Sequence, residues 1–266
     1  MDDHPLTTAQ LVADLEQLGV RAGSVLCVHT SLRAVGRVAD GPSGVIRALR
    51  ARLGATGTLV MPSMTGGATP YDPRATPTRD MGIVAETFWR LPGVLRSTHP
   101  SSAFAAAGPL AIQITQSHPL EHPQGLDSPI GKVYQHHGWV LLLGVEQDSN
   151  TMLHLAEALS NVPYRRIARV RVREAGVERW VEFAEIDHCC QNFGKIAEPL
   201  RTRRQLRSGK VGRAQAHLMR ARDVVQVACD LLAADPFAFL CPPGQCQLGE
   251  ECDEARAYAR VQGYRY

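Results

Sequence analysis

The run Val140-Leu141-Leu142-Leu143-Gly144, followed five residues later by Asn150-Thr151-Met152-Leu153-His154-Leu155-Ala156-Glu157, decides how this chain is read. A short, uninterrupted apolar run closed by glycine is the pattern of a strand buried on both faces. The second segment reads as a helix beginning just past that strand, and positions three apart on a helix share a face, so His154 and Glu157 are side by side. Open α/β sheets bind their ligands beyond the carboxyl ends of their strands. A carboxylate there can hold one imidazole nitrogen while the other nitrogen takes a proton from a nucleophile near neutral pH. Taken alone, an H-x-x-E pair is more often a helical histidine in a surface ion pair.

Working outward, Thr7 or Thr8 caps a helix over Ala9 to Leu18, and Ser24 to His29 is a buried strand. Val45, Ile46, Leu49 and Leu53 form a helical stripe, and Gly57 to Pro62 is a second strand. Ser63 to Gly82 has little periodicity and is long for a bare connection, which marks it as a functional loop. Ile83 to Leu91 and Pro109 to Gln116 read as helices, with another loop at Ser117 to Asp127. Past the His154 helix, Arg169 to Val172 and Arg179 to Phe183 alternate as strands joined through Glu174-Ala175-Gly176, a hairpin. Gly194 to Leu200 and Asp223 to Leu232 read as helices around a strand over Gly212 to Met219. No internal repeat interrupts this α/β pattern, and 266 residues suit one main domain over 1–266.

Charge and composition narrow the function. The balance of 29 Lys and Arg against 26 Asp and Glu, a net +3, is too mild for a nucleic-acid-binding stripe. Arginines gather at Arg165, Arg166, Arg169, Arg171 and Arg173, and again at Arg201, Arg203, Arg204 and Arg207, as a solvated face or an anion patch. No run of about 18 apolar residues is present, and Met1-Asp2-Asp3-His4-Pro5 is acidic and polar, so the expectation is a cytoplasmic protein with no membrane partner. Seven cysteines without a secretory signal argue for reduced thiols. Cys241, Cys246 and Cys252 lie near one another, and Asp187-His188-Cys189-Cys190 could add ligands, but their spacing is looser than the common C-x2-C, so free thiols and no metal are expected. The absence of a P-loop, a G-x-S-x-G elbow or H-E-x-x-H disfavours those hydrolase classes.

Two further segments carry candidate chemistry. In Val28-His29-Thr30-Ser31-Leu32-Arg33-Ala34-Val35-Gly36 a strand runs into hydroxyls at a helix start, which suits a phosphate but equally describes an ordinary capped helix with a core histidine. Arg96-Ser97-Thr98-His99-Pro100-Ser101-Ser102-Ala103-Phe104 continues through three alanines to Gly108, combining a cation, hydroxyls and small side chains. That composition suits a narrow channel for a cofactor arm, or a tight turn.

In this order these segments resemble the aminoglycoside 3-N-acetyltransferase family, whose antibiotic N-acetyltransferase fold is distinct from the widespread GNAT fold. The blocks that carry the likeness are Val28 to Gly36, Tyr71-Asp72-Pro73, Arg96 to Gly108, Asp127-Ser128-Pro129 and Leu141 to Glu157. The resemblance implies an α/β fold with a central mixed sheet flanked by helices. It also implies acetyl-CoA as co-substrate and direct acetyl transfer to the 3-amino group of the 2-deoxystreptamine ring of an aminoglycoside antibiotic, giving resistance, in a monomer or homodimer. His154 would be the general base, Glu157 its orienting partner or a substrate contact, and Thr151 a donor to the thioester oxyanion. His29, Thr30, Ser31, Leu32, Val35 and Gly36, with Arg96, Ser97, His99, Pro100, Ser101 and Phe104, would line the CoA channel. Tyr71, Asp72, Glu157, Glu185 and Asp187 would meet the aminosugar, because a polycation requires carboxylates even on a basic protein. Ser63 to Asp80 is shorter than the acidic loop of clinically familiar members. Two other readings compete: acyl transfer to a different amine in secondary metabolism, and a CoA-binding protein without catalysis.

Overall fold

A computed structural model describes residues 4–66, 70–246 and 249–264. In chain order, helix α1 (Thr8–Leu18) leads to strand β1 (Val25–Thr30), α2 (Leu32–Val35), α3 (Gly41–Leu53) and β2 (Thr58–Pro62). Next come α4 (Gly82–Trp89), β3 (Leu95–Arg96), β4 (Phe104–Ala107), α5 (Ala111–Thr115), α6 (Pro129–Gln135), β5 (Trp139–Leu143) and α7 (Met152–Leu159). The hairpin β6 (Arg165–Glu174) and β7 (Val177–Ile186) precedes α8 (Ala197–Thr202), β8 (Leu206–Val211), β9 (Ala214–Arg220), α9 (Ala221–Ala234) and α10 (Glu251–Val261).

Seven strands form one mixed sheet in the order β3-β4-β2-β1-β5-β9-β8. β1 lies parallel to both β2 and β5, while β4 and β9 add antiparallel flanks. The central strands are apolar at almost every position because helices cover both faces. Alternation still sorts their side chains: Cys27, Val60, Val140 and Leu142 face one core with α5, α6, α7 and α9. Leu26, Val28, Leu59, Met61, Leu141 and Leu143 face the other, with α1, α3 and α4. The chain leaves β1 toward β2 on one side and meets β5 on the other, so the carboxyl ends of β1 and β5 border a crevice at a switch point.

The hairpin stands outside this sheet. Val170, Val172, Val181 and Phe183 pack on Tyr71 and Ala103 in a small third core. Its turn places Ala175 at φ 49° and Gly176 at φ 81°, the left-handed pair that a two-residue hairpin loop requires.

Several elements depart from expectation. The hairpin extends well beyond the alternating segments because backbone pairing continues past them. β8 carries no strand signature in the sequence because Arg207, Ser208 and Lys210 make it a polar edge strand. α6, to which the sequence reading assigned no element, starts at a capping Ser128, whose hydroxyl accepts the Gly131 N–H at 3.3 Å, with Pro129 at its first position. α10 occupies what reads as a cysteine-bearing tail. Among the described residues, no helix is long and apolar enough to cross a membrane.

Candidate active site

β5 ends in Gly144, at φ 72°, where a Cβ would stand 2.4 Å from that of Ala34. Only glycine lets the chain turn so close to α2. A short 3-10 turn at Gln147–Ser149 follows. The buried Asn150 then fixes the helix start: its amide donates to Gln147 Oε1 at 2.8 Å and its oxygen accepts the Met152 N–H at 3.2 Å. α7 therefore rises from the carboxyl end of the sheet with Met152, Leu153, Leu155 and Ala156 anchored in the core, and its remaining face carries the chemistry.

On that face His154 Nδ1 and Glu157 Oε2 are 2.7 Å apart. The fully buried carboxylate also accepts from the Tyr164 hydroxyl at 2.7 Å and from His188 Nε2 at 2.8 Å. Burial alone would raise its pKa, but the two imidazoles and their hydrogen bonds outweigh that and hold Glu157 at about 2. Burial would likewise depress His188, yet Glu157 draws it upward. The Cys190 N–H donates to His188 Nδ1 at 3.1 Å, which fits the tautomer that carries its proton on Nε2. Burial first, and then the adjacent carboxylate, keep the Tyr164 phenol protonated. With three donors converging on it, the carboxylate fixes the His154 proton on Nδ1 and leaves Nε2 as an acceptor. That Nε2 lies 3.6 Å from Cys190 Sγ, whose own hydrogen has the His188 carbonyl at 3.2 Å. Cys190 holds this place from a left-handed backbone, φ 59°, a strain of the kind that gathers at functional sites.

Two cavities meet at the start of α7: His154 walls one of them, and Thr151 borders both. One, of about 820 Å³, is walled by His154, Ser101, Gln124 and the carboxylates Asp80, Glu185, Asp187 and Glu251, with Arg79, Arg166 and Arg169 among them. Arg166 pairs with both Glu185 and Asp187, so their charge is partly committed. Burial, and then Asp187, push the Glu185 carboxyl above its ordinary value. The other cavity, of about 650 Å³, is walled by His29, Thr30, Ser31, Leu32, Arg33, Met81, Val145 and Cys190. Both volumes suit small-molecule ligands. Thr151, Met64, Asp80 and Met81 border both cavities. Thr151 Oγ1 is 3.3 Å from Nε2 of His29, whose burial lowers its pKa to about 4 and keeps it neutral.

Of the residues singled out from sequence, His29, Thr30, Ser31 and Leu32 reach the second cavity, and Thr151, His154, Ser101, Glu185 and Asp187 reach the first. Ser101 thus lies with the carboxylates, on a different cavity from His29, Thr30, Ser31 and Leu32. Others serve as scaffold. Arg96 donates to the carbonyls of Ser63 and Thr76 and to the Ser63 hydroxyl, and lies 4.4 Å over the Trp89 ring. Ser97 accepts the Phe104 N–H at 3.0 Å and meets His118 at 2.9 Å; His99 and Phe104 are fully buried. The Pro100 carbonyl accepts from Thr65, Val35 packs in the core, and Gly36 lies against Arg213. Tyr71 is buried, with its hydroxyl on the Ser97 carbonyl at 2.6 Å, and Asp72 accepts the Arg74 N–H at 2.8 Å to close a turn. None of these forms a wall of either cavity. Sequence reading gave no site role to Tyr164 and Asp80, and weighed His188 and Cys190 only as metal ligands, because only tertiary packing brings them beside His154 and the cavities.

Two groups have the composition of metal ligands. His154, Glu157 and His188 place their ligand atoms within 4.8 Å of one another, which the donor and acceptor geometry above accounts for. The sulfur atoms of Cys189, Cys241, Cys246 and Cys252 also lie within 4.8 Å of one another.

Residues 27–233 match the family described as aminoglycoside 3-N-acetyltransferase. Over 238 residues the chain is 48% identical to an aminoglycoside N(3)-acetyltransferase IV from Salmonella sp., covering 88% of this chain and 90% of that one. The crystal structure of the H154A mutant of aminoglycoside acetyltransferase AAC(3)-IVa in complex with a gentamicin superposes with a TM-score of 0.90 at 45% identity, covering 97% and 99% of the two chains. The same mutant has been crystallised with apramycin. The AAC-IIIb complex with CoASH matches at a TM-score of 0.81 and 30% identity, covering 87% and 97%.

Proposed function

Because the chain belongs to the aminoglycoside 3-N-acetyltransferase family, we propose that it transfers the acetyl group of acetyl-CoA to the 3-amino group of an aminoglycoside antibiotic. The observation that carries this reading is the Glu157-braced His154 on the wall of an acid-lined cavity, one helical turn from Thr151, which that cavity shares with a hydroxyl-lined one. A polyamine suits the first cavity, where Asp80, Asp187 and Glu251 offer negative charge. Its cations would compete with Arg166 for Glu185 and Asp187. The second cavity fits a long polar ligand: Thr30, Ser31, Ser149 and Thr151 offer hydroxyls, the buried Thr30 oxygen has no partner of its own, and Arg33 stands on the same wall as Asp80 and Asp148. Between them the two adjoining cavities draw on the sheet, the hairpin and α7, which supports reading residues 1–266 as one domain.

Acetyl-CoA supplies the thioester when bound. Each step that falls to the protein has a residue suited to it. His154 Nε2 takes the proton that the amine sheds as its nitrogen attacks, and the Glu157 carboxylate stabilises the imidazolium through Nδ1. Tyr164 and His188 keep that carboxylate ionised and immobile. With His29 in its Nε2–H tautomer, that nitrogen donates to Thr151 Oγ1 and frees the threonine hydroxyl to face the oxyanion. The imidazolium then returns its proton to the departing thiolate. No covalent enzyme intermediate is needed, and burial holds the neighbouring Cys190 thiol well above its ordinary pKa, hence protonated.

The test is thiol release from acetyl-CoA with gentamicin and apramycin as acceptors, with the acetylated position fixed from the product by NMR. His154→Ala is expected to bind CoA as before and to lose activity by ~100-fold or more. An unchanged rate overturns the assignment. Release with neither acceptor but with a different amine favours an enzyme of secondary metabolism.

A further inference from the structure

Four of the cysteines converge from distant parts of the chain. Cys189 follows β7, Cys241 and Cys246 lie in the loop after α9, and Cys252 opens α10. Cys189 Sγ is 3.3 Å from Cys241 Sγ and 3.4 Å from Cys252 Sγ. Sulfurs at the corners of a tetrahedron around zinc stand roughly 3.8 Å apart, given a bond of about 2.3 Å, and these four fall within 4.8 Å of one another. A turn through Pro242, Pro243 and Gly244, closed by the Gln245 N–H on the Pro242 carbonyl at 3.0 Å, brings Cys246 back toward Cys241. The Cys241 N–H is aimed at Cys252 Sγ at 3.3 Å, the contact by which main chain supports a thiolate ligand. The buried Arg256 guanidinium donates to the Leu240 and Cys252 carbonyls and stands ready to offset negative charge.

Cys189, Cys241 and Cys252 belong to the main apolar core, but α10 adds only small side chains to it. α10 buries Cys252, Ala255, Arg256 and Ala259, and small side chains contribute little apolar area. Yet its first turn is held against the segment that supplies His188 and Cys190. We propose that Cys189, Cys241, Cys246 and Cys252 form a tetrahedral zinc site that pins α10 and the preceding loop behind the catalytic histidine. On binding, Zn²⁺ displaces the thiol protons to solvent and leaves a tetrathiolate of net charge −2. The site is structural: all four positions are filled by protein, and it lies apart from both ligand cavities.

Metal analysis of the full chain purified without chelator is expected to give about one zinc per chain. Seven thiols should titrate in denaturant with EDTA, the number the sequence contains. Cys252→Ser, and Cys246→Ser at the more exposed corner, should lower bound zinc several-fold, whereas Cys229→Ser, outside the cluster, should not. Exchange with Co²⁺ should produce thiolate-to-cobalt charge transfer and the intense visible bands of a tetrahedral site. Three results would each overturn the proposal: zinc-free chain from zinc-supplemented cells, full zinc content in Cys252→Ser, or five titratable thiols in place of seven, which means a disulfide. If the serine variants do not fold, the cobalt spectrum and thiol count of the unaltered chain decide alone.

Discussion

β1, β2 and β5 bury nearly every side chain they carry, whereas β6 and β7 bury Val170, Val172, Val181, Phe183 and Ile186 and leave Ile167 and Trp180 more than half exposed. The sheet is held by apolar area on two faces. The hairpin has one small core and a surface laced with ion pairs such as Arg169–Glu182. Both reach the pocket: α7, rooted in the sheet, brings His154, and the hairpin brings Glu185 and, just beyond it, Asp187 and His188. The rigid half positions the base, and the thinly packed half supplies charge to an acceptor. Acceptor preference can therefore change without disturbing the chemistry.

The sharpest test is Glu157→Ala, which removes the one group that both halves share. Activity should fall by ~100-fold or more, and stability by about 3–5 kcal/mol as buried donors lose their acceptor, read by acetyl-transfer rates and urea melts. A variant that keeps its rate would sever the proposed link between brace and base. Leu142→Ala in β5 should cost about 2–5 kcal/mol in the same melts while leaving the KM for acceptor unchanged, since Leu142 lies in the core beneath the helices and walls neither cavity.

Acid should act through the same carboxylate. Glu157 is held at about 2 against an ordinary 4.5. Its ionised form therefore stabilises the fold above about pH 4.5, and that contribution disappears as the pH falls through the folded value. The urea midpoint should drop more steeply over that window in the unaltered chain than in Glu157→Gln. Equal slopes would mean the carboxylate is not specially stabilised.

On the hairpin side, Glu185→Gln combined with Asp187→Asn should raise the acceptor KM by ~10-fold, about 1.4 kcal/mol, and leave the donor KM alone. A rise in donor KM instead would exchange the roles of the two cavities. The smallest effect belongs to Arg169→Ala, whose exposed pair with Glu182 should be worth less than about 1 kcal/mol in thermal melts.

What could be read from sequence follows the same division. β1, β2 and β5 are continuous apolar runs, and α1 shows its capping box through Thr7 and Gln10, so local pattern and final fold agree there. His154 and Glu157 were legible because three residues along a helix bring side chains together without tertiary help. Tyr164 and His188 complete their network from across the fold, and no spacing announces them. The cysteine cluster was legible as a candidate ligand set, but its loose spacing argued for free thiols, because Cys189 comes from 52 residues before Cys241 and only the fold brings the sulfurs together. Arg96, Ser97, His99 and Tyr71 wall neither cavity. Arg96 and Tyr71 donate to main-chain carbonyls, Ser97 meets His118, and His99 Nδ1 accepts the Ser101 and Ser102 N–H groups, which is how a buried loop satisfies its own backbone.

Thr151 stands on the partition between two chambers with otherwise largely different walls. With acceptor and donor in the chambers proposed for them, a bulky sugar would not have to thread past a long pantetheine arm, and the reactants would meet only at their reacting ends. Such a doorway tolerates acceptors of many shapes, provided each can present one amine at the threshold.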